Sequence, residues 1–158
     1  RPAANVLLRN EGGSFAVAQG SGVEASIATS EGAAVVDYDL DGGMDVVVQN
    51  LDGQPSLYRN VGSHAGDWIG FRLEGTVSNR DAVGAVVQVT TDEAVLLREV
   101  FAGSTSIHSS SWKGLHFGLG ASTVEGVVVR WPSGVEDSFV PSTTGHYLRV
   151  REGDGQVD

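Results

Sequence analysis

Between Asp37 and Asp45 the chain reads Asp37-Tyr38-Asp39-Leu40-Asp41-Gly42-Gly43-Met44-Asp45, with four carboxylates at places 1, 3, 5 and 9 of nine residues. Two anions about 4 Å apart repel by roughly 4 kcal/mol at an effective dielectric of ~20. Such a group is therefore spread in solvent or gathered on a cation. Gly42 and Gly43, at places six and seven, permit positive φ and a tight reversal. That reversal turns the odd-numbered side chains toward one point, where the Gly43 carbonyl can join Asp37, Asp39, Asp41 and Asp45. Hard oxygen ligands on a flexible loop suit Ca²⁺. The competing reading is a plain solvated Asp/Gly turn.

Strands must position this loop. Its flanks, Ala33-Ala34-Val35-Val36 and Val46-Val47-Val48-Gln49, are short β-branched runs. The unit is strand–loop–strand and not an EF-hand, which closes with a bidentate Glu at its twelfth place between helices. Val48 stands at that place here. Glycine, 22 of 158 residues, is about twice its average usage and favours the many tight turns of an all-β chain. No window of ten or more residues carries a convincing helical period. The longest candidate, 92–100, is rich in β-branched residues and lacks a clear cap.

Leu7-Leu8-Arg9-Asn10 and Leu57-Tyr58-Arg59-Asn60 align at a period of 50 residues, a spacing found in propeller blades and other arrays. Ser14-Phe15-Ala16-Val17 and the two strands around the Asp loop lie between the copies, so one blade of about four strands is expected. Asp-x-Asp-x-Asp-Gly-x-x-Asp before a hydrophobic strand, followed by Leu57-Tyr58-Arg59-Asn60-Val61-Gly62, resembles the FG-GAP/VCBS repeat over residues 5 to 62. That resemblance implies a Ca²⁺-binding β-propeller element, with Asp37, Asp39, Asp41 and Asp45 as side-chain ligands and Gly43 as a carbonyl ligand. A closed propeller needs at least four blades, and one Asp loop is present. The expectation is a partial propeller whose open edges belong to a larger propeller or pair with another subunit.

After a junction at Ser63-His64-Ala65-Gly66 the texture changes. Ile69, Phe71 and Leu73 alternate with Gly70, Arg72 and Glu74, the pattern of a half-buried strand. Ala85, Val87 and Val89 repeat it. So do Leu115, Phe117 and Leu119, then Val127, Val129 and Trp131, then Leu148 and Val150. Strands at this spacing, separated by turn signals, predict a β-sandwich-like domain. Ser78-Asn79-Arg80-Asp81-Ala82-Val83-Gly84-Ala85, Leu115-His116-Phe117-Gly118-Leu119-Gly120 and Val129-Arg130-Trp131-Pro132-Ser133-Gly134 resemble the ASPIC/UnbV domain over residues 66 to 152. The expected organisation is a blade region over 1–65, an ASPIC/UnbV-like β domain over 66–152 and a tail over 153–158. The combination resembles the C-terminus of the cartilage acidic protein family and its bacterial relatives. It implies a secreted, calcium-associated binding or matrix role with no defined catalytic activity.

The formal charge is −10, and both the first 65 residues and the remainder are net −5. Nucleic acid and anionic membrane surfaces are therefore disfavoured partners. No stretch approaches 18 apolar residues, and there is no Cys to supply a disulfide, a thiolate zinc site or a thiol nucleophile. The chain starts at Arg1-Pro2 without Met or a signal peptide and reads as a mature or excised portion of something longer. Secretion is expected from the calcium loop, which millimolar extracellular Ca²⁺ saturates.

Other chemistry is weaker. His64, His108, His116 and His146 lack metal-site spacing and read as structural or surface residues. The run Gly103 to Ser111 puts hydroxyls near His108 without a nucleophile elbow; it reads as a polar loop, or a carrier of O-linked sugars. Asn79 and Asp81 read as turn-shaping residues, with Gly84 permitting close packing. Glu136 and Asp137 are neighbours on a strand and face opposite ways. Trp68, Trp112 and Trp131 raise a glycan-binding alternative, with Trp112 the best exposed of them, and an accessory role in an extracellular hydrolase is a further one. The leading expectation is a non-enzymatic, Ca²⁺-stabilised extracellular adhesion or assembly module. Its partner is itself or another extracellular protein, and open strand edges join it into a homo-oligomer or fibre.

Overall fold

The computed structural model describes residues 1–51, 53–62, 66–103 and 108–157. They form fifteen strands: β1 (Ala3–Ala4), β2 (Leu8–Asn10), β3 (Phe15–Val17), β4 (Ile27–Ala28), β5 (Ser30–Val36), β6 (Asp45–Asn50), β7 (Ser56–Tyr58), β8 (Asp67–Glu74), β9 (Val86–Thr91), β10 (Val95–Glu99), β11 (Leu115–Gly120), β12 (Val124–Arg130), β13 (Glu136–Phe139), β14 (Tyr147–Arg151) and β15 (Gly155–Val157). The helical content among them is one 3₁₀ turn, Val23–Ala25. The all-β expectation holds, and the 92–100 stretch that came nearest to a helix carries β10.

The chain divides into two units. The first holds residues 1–38, 44–61 and 108–111; the second holds 39–43, 66–103 and 112–157. In the first unit β5, β6 and β7 make a three-stranded antiparallel sheet, while β1–β4 and β2–β3 are separate two-stranded ribbons. The expected four-stranded blade is thus split, and among the described residues no sheet closes into a propeller. The reason is local: β2 and β3 are three residues each and mostly exposed, so they bury too little to join the larger sheet. Val48 is the one buried large apolar side chain of this unit among the described residues; Asp37, Asp45 and Asn50 are buried as well. Asn50 is satisfied by Ser30, the Gln54 carbonyl and Ser56. The unit therefore rests on polar contacts more than on an apolar core.

The second unit has two four-stranded sheets, β10-β9-β12-β13 and β11-β8-β14-β15. The alternating residues predicted to face inward do so: Ile69, Phe71, Ala85, Val87, Val89, Leu115, Phe117, Leu119, Val127, Val129, Trp131, Leu148 and Val150 are all buried in one cluster. Full burial of each large apolar side chain contributes about 1.5–3 kcal/mol. Phe71 and Phe117 meet edge-on with centroids 5.7 Å apart, a favoured aromatic geometry. β14 runs parallel to β8 and antiparallel to β15, so the end of the chain from Gly155 to Val157 is a strand. On β8, Gly70 lies where a Cβ would enter the Tyr147 ring, so the side chain of β14 needs glycine beneath it.

Candidate functional site

The loop between β5 and β6 turns on two left-handed residues, Leu40 at φ 60° and Gly42 at φ 89°. Gly42 adopts this region freely, whereas for Leu40 it costs about 1–2 kcal/mol. Gly43, expected to share the reversal, has no positive φ; its N–H donates to Asp41 Oδ1 at 2.9 Å. Asp45 opens β6 and is fully buried. Its Oδ2 accepts from the Tyr38 N–H at 3.1 Å and its Oδ1 from the Asn60 N–H at 2.7 Å. Asp37 is also buried, at 2 % exposure, while Asp39 is exposed.

Carboxylate oxygens of Asp37, Asp39 and Asp45 all lie within 4.8 Å of one another. Ligand oxygens on opposite sides of a Ca²⁺ ion stand about 4.6–5.2 Å apart, given Ca–O distances of 2.3–2.6 Å, so these three fit around a common ion. Asp45 remains able to ligate, because an ionised carboxylate offers about four acceptor positions and the two N–H groups use two. A cluster of three aspartates that could coordinate a divalent cation is therefore present. Asp41 stands outside that cluster, and its oxygen is turned to the Gly43 amide.

The other candidates are structural. His116 stacks on Trp68 with centroids 5.0 Å apart, and its Nδ1 lies 3.2 Å from the Tyr147 hydroxyl. His146 Nδ1 lies 2.9 Å from the Thr144 carbonyl. His64 and residues 104–107 of the Ser-rich run lie outside the described residues. Ser109 and Ser111 hydroxyls accept from the Ala33 and Val35 N–H groups, so this end of the run completes the backbone bonding of β5. The Asn79 side chain exchanges two hydrogen bonds with the Val83 backbone, the turn role expected of it. Trp68 and Trp131 are buried and Trp112 is half-buried, so the three tryptophans form no exposed platform.

Glu136 and Asp137 do face opposite ways. Glu136 is exposed and pairs with Arg130, whereas Asp137 accepts from the buried Trp131 Nε1–H at 2.7 Å and from the Gly153 N–H at 2.9 Å. Asp137→Ala is expected to destabilise the second unit by about 1–2 kcal/mol, the cost of a buried indole N–H left without an acceptor. A urea titration followed by tryptophan fluorescence reads this directly, since all three tryptophans lie in that unit. An unchanged midpoint would show that water replaces the carboxylate.

A second buried carboxylate, far from the acidic loop, gathers hydrogen bonds from two other loops. Glu152, 3 % exposed, accepts from the consecutive N–H groups of Thr76, Val77 and Ser78 at 2.7, 2.8 and 2.7 Å. The Ser78 hydroxyl donates at 2.8 Å, and the Ser133 hydroxyl donates as well. Burial alone would push this carboxyl up, but the hydrogen bonds from Ser133, Ser78 and Thr76 outweigh it and hold the group at about 2. The arrangement joins three distant loops through one charge.

A family model described as ASPIC and UnbV matches residues 75–157, slightly more than half of the chain, and leaves the Asp loop outside the match. No curated protein matches.

Proposed function

The chain belongs to the ASPIC and UnbV family, and on that premise we propose that it is an extracellular adhesion or assembly module whose β5–β6 loop is held by Ca²⁺. Domains of this family are non-catalytic adaptor or adhesion modules, and the chain is not an enzyme. The observation that carries the cation reading is the convergence of Asp37, Asp39 and Asp45 where the β5–β6 loop leaves and rejoins its strands. Asp37, Asp39 and Asp45 would hold the ion, with Asp41 and the Gly43 carbonyl completing the oxygen shell. The ion would offset the mutual repulsion of the acids and the cost of the left-handed Leu40. It would supply structure and no chemistry.

The resemblance of residues 5–62 to an FG-GAP/VCBS blade supports an assembly role. So does their surface: Val6, Leu8, Phe15, Val17, Ile27 and Val61 are each more than half exposed, and the short ribbons leave strand edges that pair readily with further strands. Within this reading, residues 1–65 form the blade-like region, the ASPIC/UnbV-like domain runs from residue 66 through β15 rather than ending at 152 before a tail, and secretion follows from a loop tuned to extracellular Ca²⁺. Among the described residues no helix is long and apolar enough to cross a membrane.

Calorimetric titration with Ca²⁺ is expected to give one ion per chain, with Mg²⁺ binding more weakly at this irregular site. A ligand at ten times its dissociation constant stabilises by about 1.4 kcal/mol, so chelator should lower the melting temperature by several degrees. Asp39→Ala should abolish the difference. Equal melting curves with Ca²⁺ and with chelator would remove the cation from this proposal. Light scattering that shows only a monomer at high concentration would remove the self-assembly.

A further inference from the structure

The second unit carries a pocket unrelated to the acidic loop. Arg72, Leu73, Asp81, Trp112, Lys113 and Gly114 line a surface hollow of about 240 Å³. That is below the ~300–1,000 Å³ of sites that enclose drug-sized ligands, so it suits one ring-sized group. Lys113 is paired with Asp81. The hydrogen bond and charge of Lys113 hold the Asp81 carboxyl below the usual range, so Asp81 is ionised at neutral pH. Arg72 is different. It is exposed, and among the described residues no carboxylate meets it; its guanidinium carbon lies 5.0 Å from the centroid of the Trp112 ring. Trp112 is in turn fixed edge-on against Tyr147, with centroids 4.8 Å apart. The lining therefore has a net charge of +1, from two cations and one anion, on a chain of net −10.

We propose that this pocket binds one uronic-acid unit of an acidic saccharide, its carboxylate held by Arg72 and its hydroxyls by Asp81 and Lys113. A guanidinium backed by an indole is held in plane by cation–π attraction and presents its N–H fork to a carboxylate. Asp81 accepts from ring hydroxyls and Lys113 donates to them, while Leu73 and Gly114 offer an apolar wall to the C–H face of a pyranose. Asp81 also sets the anion class. A sulfate- or phosphate-rich polymer brings dense negative charge against this carboxylate, whereas a uronate brings a single carboxylate per sugar together with the hydroxyls that Asp81 requires. The pocket is separate from the cation reading and stands without it.

The test uses the whole chain, titrated with an oligogalacturonide, with its neutral methyl ester and with a sulfated oligosaccharide of equal length, followed by calorimetry and tryptophan fluorescence at constant Ca²⁺. The acid is expected to bind and to perturb the fluorescence. The methyl ester should bind at least about tenfold more weakly (~1.4 kcal/mol), since it removes the charge that Arg72 holds. Arg72→Gln should lose the same factor with an unchanged melting temperature, and Arg72→Lys, which keeps the charge without the fork, should fall between. The proposal is overturned if the folded protein fails to bind the acid, if ester and acid bind alike, if Arg72→Gln binds as the parent does, or if the sulfated sugar binds more tightly than the uronate.

Discussion

Glu152→Gln is expected to lower the stability of the second unit by on the order of 3 kcal/mol at neutral pH. The carboxyl is held at about 2 against an ordinary value of 4.5, and each unit of that difference corresponds to about 1.4 kcal/mol. Glutamine keeps the shape but replaces one acceptor oxygen with a donor amide, aimed either at the three N–H groups of Thr76, Val77 and Ser78 or at the hydroxyls of Ser78 and Ser133. The melting temperature should fall by roughly 10 °C, at about 2–4 °C per kcal/mol for a chain of this size. The pH dependence gives an independent check. A carboxyl depressed in the folded state contributes its full stability above its unfolded pKa and loses it as pH falls through the folded value. The parent protein should therefore lose this contribution between pH 4.5 and about 2, and Glu152→Gln should lack that component. A variant that unfolds at the same urea concentration as the parent at pH 7 would mean that water satisfies the 76–78 amides equally well.

Glu152 also shows where the sequence was legible and where it was passed over. The inward alternation Leu148, Val150 continues at Glu152 with the same two-residue period, and all three are buried. A charged residue on the core side of a strand is a signal that a partner network awaits it. The partners could not be read, because Thr76 to Ser78 lie on a loop over 70 residues earlier. The five strands with clear alternation, β8, β9, β11, β12 and β14, were visible because one face of each meets the core. β10 escaped because it is exposed along nearly its whole length. The parallel pairing of β14 with β8 is set by the packing of the whole unit and leaves no local mark. In the Asp loop the spacing identified a convergence of acids. Which of them converge is decided by backbone geometry: Asp41 turns back on the Gly43 amide, and Leu40, a residue with no preference for it, takes the left-handed conformation.

Asp45→Ala is expected to cost the first unit about 3 kcal/mol even in the presence of chelator. Asp39→Ala is expected to cost much less in chelator, because its side chain is exposed. The two aspartates share one cluster but differ in what else they hold. Asp39 is exposed, so removing it opens no buried void. Asp45 is fully buried and binds the Tyr38 and Asn60 amides. It thereby fixes the entrance of the loop to the chain that follows β7. Truncation leaves two donors facing a void, and each such donor costs about 1–3 kcal/mol when water cannot reach it. Asp39→Ala should melt at the same temperature with Ca²⁺ and with chelator, and Asp45→Ala should melt below it. Asp45→Asn should lie between, because its one carbonyl oxygen can serve one of the two amides. Thermal melts followed by circular dichroism, with and without chelator, separate these cases; tryptophan fluorescence alone would miss them, since the first unit contains no tryptophan. If Asp45→Ala and Asp39→Ala gave the same curve in chelator, the buried aspartate would be a ligand and nothing more. If they differ as expected, Asp45 is a structural bolt to which cation binding is added. The loop then keeps part of its shape when the ion leaves, and Ca²⁺ acts on a site already partly formed.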